Sequence, residues 1–436
     1  MYRTCRLFCF VAVLVASSGL GTPELSWGQS SSMGRIHLPS ERGLNQLGLT
    51  RAWWGQAVTN TARDHLLYII NDDLSVYVQS SSGMVTAFDA ETGRRKWAIS
   101  VGEADRPIYE AAFNNRWLFV INGMTLYAVD KNKGRVDWNL VLPGQPASSP
   151  SSDETRMFVG FLDGSVYAFD LQKTNELYEK QMLPEWSHLT VLWRYKTNAA
   201  VTSPAILSGS LAAFSSRDGT LYSVTKEDRE LRFQFETDAA LSAPPVRYKN
   251  TLLLGSEDFN LYCIDMLSGR YNWQMATGSI VTRAPIIIKN EAYVTPENSG
   301  LMRVVPEDGR LVWQRPGVNR FLAASPARIY TRDKTENLVV LNRSSGGVVG
   351  AIRIPRFVHS VTNSLNDRIF MASDGGLLIC LRELGREFPL LHANPDLQPL
   401  LPEFTPEEAT DAPATTEPAA EPAEGTDQAN PFKPNE

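Results

Sequence analysis

Residues 252–273 read LLLGSEDFNLYCIDMLSGRYNW: an apolar run, a turn, alternating apolar residues ending on Asp265, a second turn with Gly269, then Trp273. The same order returns in VYVQSSSGMVTAFDAETGRRKW at 76–97 and in LFVINGMTLYAVDKNKGRVDW at 118–138. Anchored on the Asp, the register falls at Asp89, Asp130, Asp170, Thr225, Asp265, Val305, Asn342 and Arg382. Successive anchors lie 40 or 41 residues apart, except for a step of 55 after Asp170 and one of 37 after Val305. A glycine follows four residues after the anchor at Gly93, Gly134, Gly269, Gly309 and Gly346. An aromatic follows eight after it at Trp97, Trp138, Phe233, Trp273 and Trp313. In the third copy the aromatic is Trp193, which comes 23 after Asp170, and the excess of 15 equals the excess in the long step. This predicts a 15-residue insertion over 171–185 holding one short helix.

Each copy reads as four strands. Small-residue–Pro pairs at Ser149-Pro150, Ser203-Pro204, Ala243-Pro244, Ala284-Pro285 and Ser325-Pro326 precede predicted first strands. Proline lacks an amide donor and suits such a start. Asp163-Gly164, Asp218-Gly219 and Asp374-Gly375 mark hairpins that need positive φ. The anchor Asp is expected to bond amides of its own turn, a structural role repeated once per copy. A four-stranded sheet this small cannot bury both faces, whereas radially stacked sheets can. The predicted fold is therefore all-β: an eight-bladed β-propeller of four-stranded antiparallel blades over residues 49–392. Trp97, Trp138, Trp193, Phe233, Trp273 and Trp313 are expected to dock neighbouring blades. The eighth copy, 357–384, lacks a Trp strand, and 49–58 (LTRAWWGQAV) offers an unmatched one. Trp53 or Trp54 is thus predicted to supply the strand that closes the ring, removing two sheet edges.

The flanks read differently. Arg3 and Arg6, the apolar run LFCFVAVLVA at 7–16 and Ser17-Ser18-Gly19 form the pattern of a cleaved export signal over 1–22. The mature chain is then expected in the periplasm, at the outer membrane or outside the cell. No cysteine follows the apolar run where a lipoprotein would carry one. Residues 23–48 read as a loose lead-in. From Leu401 to Glu436 there are nine Asp/Glu and one Lys, a net of −8, which leaves the rest near +2 of the total −6. The Pro- and Glu-rich composition of 403–436 predicts a disordered acidic tail, either a spacer or a docking segment. No basic stripe suited to phosphates appears, so nucleic acid is not an expected partner. Cys263 and Cys380 fall two residues before their anchors in blades five and eight, too far apart around the ring for a disulfide.

The run Ala87-Phe88-Asp89-Ala90-Glu91-Thr92-Gly93 with Trp97 resembles the repeat of the pyrroloquinoline quinone (PQQ)-like family. So do Val129-Asp130 with Gly134 and Trp138, and Ile264-Asp265 with Gly269 and Trp273. The resemblance covers about 51–385. It implies one of two branches. The quinoprotein dehydrogenases bind PQQ and calcium, and many carry an adjacent cysteine pair that this chain lacks. The BamB-like branch comprises compact eight-bladed envelope propellers of the machinery that inserts outer-membrane β-barrels. The length and export signal fit the second, although no loop here carries its Leu-x-Leu-Arg docking run.

His37, His65, His188, His359 and His392 show no metal-ligand spacing, and no CxxC occurs, so neither a zinc site nor a catalytic constellation is expected. The leading expectation is a monomeric, non-enzymatic scaffold without cofactor that contacts envelope proteins, including an outer-membrane β-barrel or its assembly machinery. A PQQ-dependent dehydrogenase and a carbohydrate- or peptide-binding module are the alternatives. The candidate binding surface is a positive funnel in which Arg283, Arg320 with Phe321, and Arg356 with Phe357 and His359 stand just ahead of inner strands.

Overall fold

In each copy the apolar–polar alternation pairs four short strands antiparallel, in sequence order, through hairpins. The computed structural model describes residues 38–60 and 63–392. Eight four-stranded sheets result. Blade 1 comprises Leu66–Asn71, Ser75–Ser80, Met84–Asp89 and Arg95–Ser100, from the innermost strand outward. Blades 2 to 7 follow at 112–141, 151–196, 206–236, 246–276, 286–315 and 318–353. Blade 8 takes three strands from 359–383 and its outermost strand, Leu49–Gln56, from the other end of the chain.

The repeated residues form one interlock. The anchor carboxylates of Asp89, Asp130 and Asp265 accept the backbone N–H groups two and three residues on, at 2.8–3.2 Å. This Asx turn puts the following glycine at positive φ, 71° at Gly93. The glycine is also the floor on which the previous blade's aromatic lies. A Cβ on Gly93, Gly134, Gly269, Gly309 or Gly346 would come within 2.3–2.6 Å of Trp53, Trp97, Phe233, Trp273 or Trp313, respectively. Each indole N–H then donates to the carbonyl just after the next blade's anchor. Trp97 bonds Lys131, Trp193 bonds Lys226, Trp273 bonds Pro306 and Trp313 bonds Arg343, at 2.7–3.1 Å.

Trp53 belongs to this series. It pairs with Cys380, two residues before the anchor, as Trp97 pairs with Ala87 and Trp273 with Cys263. Its indole donates to Ala90 of blade 1 at 2.9 Å. Trp53 is buried, while Trp54 is 47% exposed. The ring is therefore closed by Trp53. Cys263 and Cys380 are free and buried.

Two departures have local causes. In blade 3 the helix α1 (Leu171–Glu179) starts directly at the anchor, with Asp170 as N-cap accepting from Lys173 N–H at 2.9 Å. The Leu171 carbonyl, which would take the Trp138 N–H, begins the helical bond pattern instead. Trp138 is fully buried with its Nε1 unpartnered. In blade 7 the outermost strand, Val348–Arg353, puts Gly350 opposite Val340, where other blades carry the aromatic. Leu47 fills that space: a Cβ on Gly350 would lie 2.5 Å from its Cδ2.

Leu47 follows a short helix, Glu41–Gln46, capped by Ser40. The end of the lead-in is thus ordered packing rather than a loose segment, with Leu44 fully buried and Arg328 bonding the Leu47 carbonyl at 2.6 Å. Two sequence signals also shift. Ser325-Pro326 forms the turn after the innermost strand of blade 7, Val318–Ala324, rather than preceding it. Pro316-Gly317 alone joins blade 6 to blade 7, with Gly317 at φ 85°, and this shortens that repeat. In the last hairpin the positive φ falls on Gly376 rather than Gly375. The segments 1–22 and 403–436 lie outside the described residues.

Candidate functional site

The innermost strands, two or three residues long in six blades and six and seven in blades 1 and 7, run nearest the axis of the ring. They surround a cavity of about 1160 Å³. Prolines just ahead of them, Pro244 and Pro285, line it in blades 5 and 6. Four cations line the same side. Arg247 lies on the innermost strand of blade 5, and its Nε bonds the Lys249 carbonyl at 2.8 Å. Arg283 precedes the innermost strand of blade 6 and donates to the Asn319 carbonyl at 2.5 Å. Lys289 follows that strand in a positive-φ turn, at 56°. Arg320, within the innermost strand of blade 7, reaches Ser360 Oγ at 3.2 Å. None of the four pairs with a carboxylate among the described residues. Burial, then the neighbouring cations Arg283 and Arg332, lowers the Arg320 guanidinium below its ordinary value, with Glu336 opposing from beside Arg332.

The other side differs. Glu110, in the loop entering blade 2, lines the cavity, and in ring order blade 2 faces blade 6. Burial raises its carboxyl above the ordinary carboxylate range. Burial and then Glu110 raise the hydroxyl of Tyr68. On blade 8, His359 lines the cavity with Nε2 2.6 Å from Asp374 Oδ1. Apolar wall is supplied by Ile70, Ile286 and Phe321. Among the described residues, no group of three or more His, Cys, Asp or Glu is placed to hold a metal.

Of the six funnel candidates, the structure brings Arg283, Arg320, Phe321 and His359 together at the cavity. Arg320 and Phe321 lie within a strand rather than ahead of one. Phe321 is almost wholly buried, with its ring 5.3 Å from that of Tyr293. Arg356 is exposed away from the cavity lining, and Phe357 is buried outside it. Sequence reasoning missed Arg247, Lys289, Glu110 and His392. One signal was available: Lys249-Asn250 and Lys289-Asn290 recur at a 40-residue spacing, at the turn after the innermost strand.

The Glu110 carboxyl makes a stability prediction with a definite sign. Its folded-state value lies above the unfolded one, about 4.3. The folded state therefore pays for the charged form above the folded-state value, and the penalty disappears as pH falls through it. Because the Glu110 side chain is exposed at the cavity mouth, solvent screens the effect. Glu110→Gln should melt only slightly above wild type at pH 7 and level with it near pH 4. Thermal denaturation at both values checks this, and an equal offset at both would refute it.

The closed ring and its Asp–Gly–Trp interlock define an eight-bladed β-propeller of PQQ-like repeats. A family model described as outer membrane protein assembly factor BamB matches residues 81–315, just over half of the 436 residues, and the chain belongs to that family. Among solved structures, BamB from Moraxella catarrhalis is similar at a TM-score of 0.61 and 14% identity, over 77% of this chain and 97% of that one. The computationally designed Ika8 protein is similar at 0.60 and 12% identity, over 75% and 99%. At such identities these two likenesses establish the fold alone. No curated protein matches the sequence significantly.

Proposed function

We propose that this chain is a non-enzymatic scaffold of the cell envelope that captures an acidic, carboxylate-bearing segment of a partner protein in its central cavity. The observation carrying the reading is the set of four cavity cations without carboxylate partners. Arg247, Arg283 and Lys289 are exposed at the cavity, and Arg320 is partly buried beside Arg283 and Arg332. Like charges gathered on one wall favour an anionic ligand, and carboxylates match guanidinium geometry bidentately. Membership of the BamB family supports a protein-interaction scaffold. The export signal read at residues 1–22 supports an envelope location, where an outer-membrane β-barrel or its assembly machinery is the partner class to test.

Affinity capture from an envelope extract tests this. Wild-type protein should retain a defined partner, while Arg283→Glu/Arg320→Glu loses it by at least about tenfold, the factor that 1.4 kcal/mol represents. Arg356→Glu, outside the cavity, should retain it. Equal recovery by all three proteins would overturn the proposal. Adding PQQ and calcium with alcohol or sugar substrates tests the alternative chemistry, and saturable binding with turnover would replace this reading.

A further inference from the structure

His392 is the last described residue, and the acidic stretch of the sequence follows it. This residue lines the cavity. It is fixed there by its backbone N–H to the Leu365 carbonyl at 2.7 Å and by its ring Nε2 to the Ala324 carbonyl at 3.0 Å. The sequence beyond it carries Glu403, Glu407, Glu408 and Asp411, and nine Asp/Glu against one Lys from Leu401 to Glu436. Lys289 is close enough to His392 to repel its protonated form. The chain therefore leaves the described fold at the wall of a cavity whose cations lack carboxylates, and continues into its most acidic stretch.

Length permits a return. Glu403 is eleven residues beyond His392, a reach of up to roughly 36–40 Å at 3.3–3.6 Å per residue. An innermost strand of three to seven residues spans only about 10–24 Å. A segment tethered so closely meets the site at an effective concentration of about millimolar, which weak carboxylate–cation contacts can exploit.

We propose that the acidic segment 403–436 is the resident occupant of the cationic cavity, so that a partner's acidic segment binds by displacing it. This rests on the reading of the cavity as a site for acidic chains. The segment would act as a threshold: only a partner that outcompetes it, by charge number or by added contacts, is held.

The test uses the full chain. Zero-length carbodiimide coupling joins a lysine amine to a carboxylate in direct contact, so wild-type protein should yield adducts between Lys289 and Glu403, Glu407, Glu408 or Asp411. Lys289→Met should remove them, and 0.5 M salt should suppress them by screening. In parallel, a fluorescein-labelled deca-glutamate peptide is titrated by anisotropy. It should bind the variant Glu403→Gln/Glu407→Gln/Glu408→Gln/Asp411→Asn at least about tenfold more tightly than wild type. Absence of adducts with equal peptide affinity for both proteins would overturn the inference. If that binding is still lost in Arg283→Glu/Arg320→Glu, the reading of the cavity stands without it. Peptide binding to neither protein overturns both. Adducts that form only between isotopically mixed copies would overturn the self-docking form in favour of exchange between two chains.

Discussion

Trp53→Ala lowers the free energy of unfolding by about 3–5 kcal/mol, the cost expected for truncating a buried Trp. The side chain is 7% exposed, lies against Phe88 and Phe370 with ring centroids 6.4 and 6.0 Å away, and covers Gly93. Truncation also leaves the Ala90 carbonyl without its indole donor. Other blade seams are reinforced by chain continuity. The same continuity carries the Trp53 strand into blade 1, but inside blade 8 that strand is held only by pairing with Leu377–Glu383, which comes from the opposite end of the chain. Trp54→Ala, on the exposed side of the same strand, should change stability by less than about 0.5 kcal/mol. Urea denaturation of the two variants separates a latch from a merely aromatic strand. Similar losses from both would sink the assignment.

Arg368→Met should cost about 3–5 kcal/mol at neutral pH, as expected when one member of a buried ionic cluster is removed. Arg368 is fully buried in blade 8. It donates to Glu91 of blade 1, Nη2 to Oε2 at 2.9 Å, and to the Glu387 carbonyl at 2.5 Å. Asp367, also buried, lies 3.5 Å from Nη1 and accepts the Leu390 N–H at 2.9 Å. One guanidinium thus ties the closing seam to the segment that follows blade 8. Burial already raises both carboxyls above their ordinary values, with Arg368 opposing the rise. Removing it raises them further. Because a raised carboxyl favours the folded state as pH falls, the variant's deficit should shrink between pH 7 and pH 5. Glu91→Gln/Arg368→Met should lose less than the sum of the single changes. A pH-independent deficit in chemical denaturation would contradict this account.

The features legible in the sequence are those whose residue types answer a contact repeated at every seam. Asp89, Gly93 and Trp97 recur because the turn, the floor and the docking ring each admit few side chains. The blade-3 insertion was legible for the same reason, since Trp193 kept its role while its spacing changed. Gly350 was different: the missing aromatic could be noticed, but Leu47, some 300 residues away, could not be named as its replacement. Arg368 likewise looks like one of many loop cations until the fold sets it beside Glu91. At the cavity, Arg283 and Arg320 stood out by position. Arg356 looked equivalent and is not, because the loop entering blade 8 folds Phe357 inward and leaves its neighbour outside.

The closing strand also has a history in time. Leu49–Gln56 is synthesised early, yet its partner, Leu377–Glu383, is made more than 320 residues later. At about 5–20 residues per second, that interval is roughly 16–64 s. Throughout it, a strand bearing two tryptophans has no edge of its own blade to join. Nascent chains in close proximity could exchange this strand, each completing another's ring. The same covalent arrangement that gives the finished molecule a closed circle leaves its unfinished form open to a neighbour.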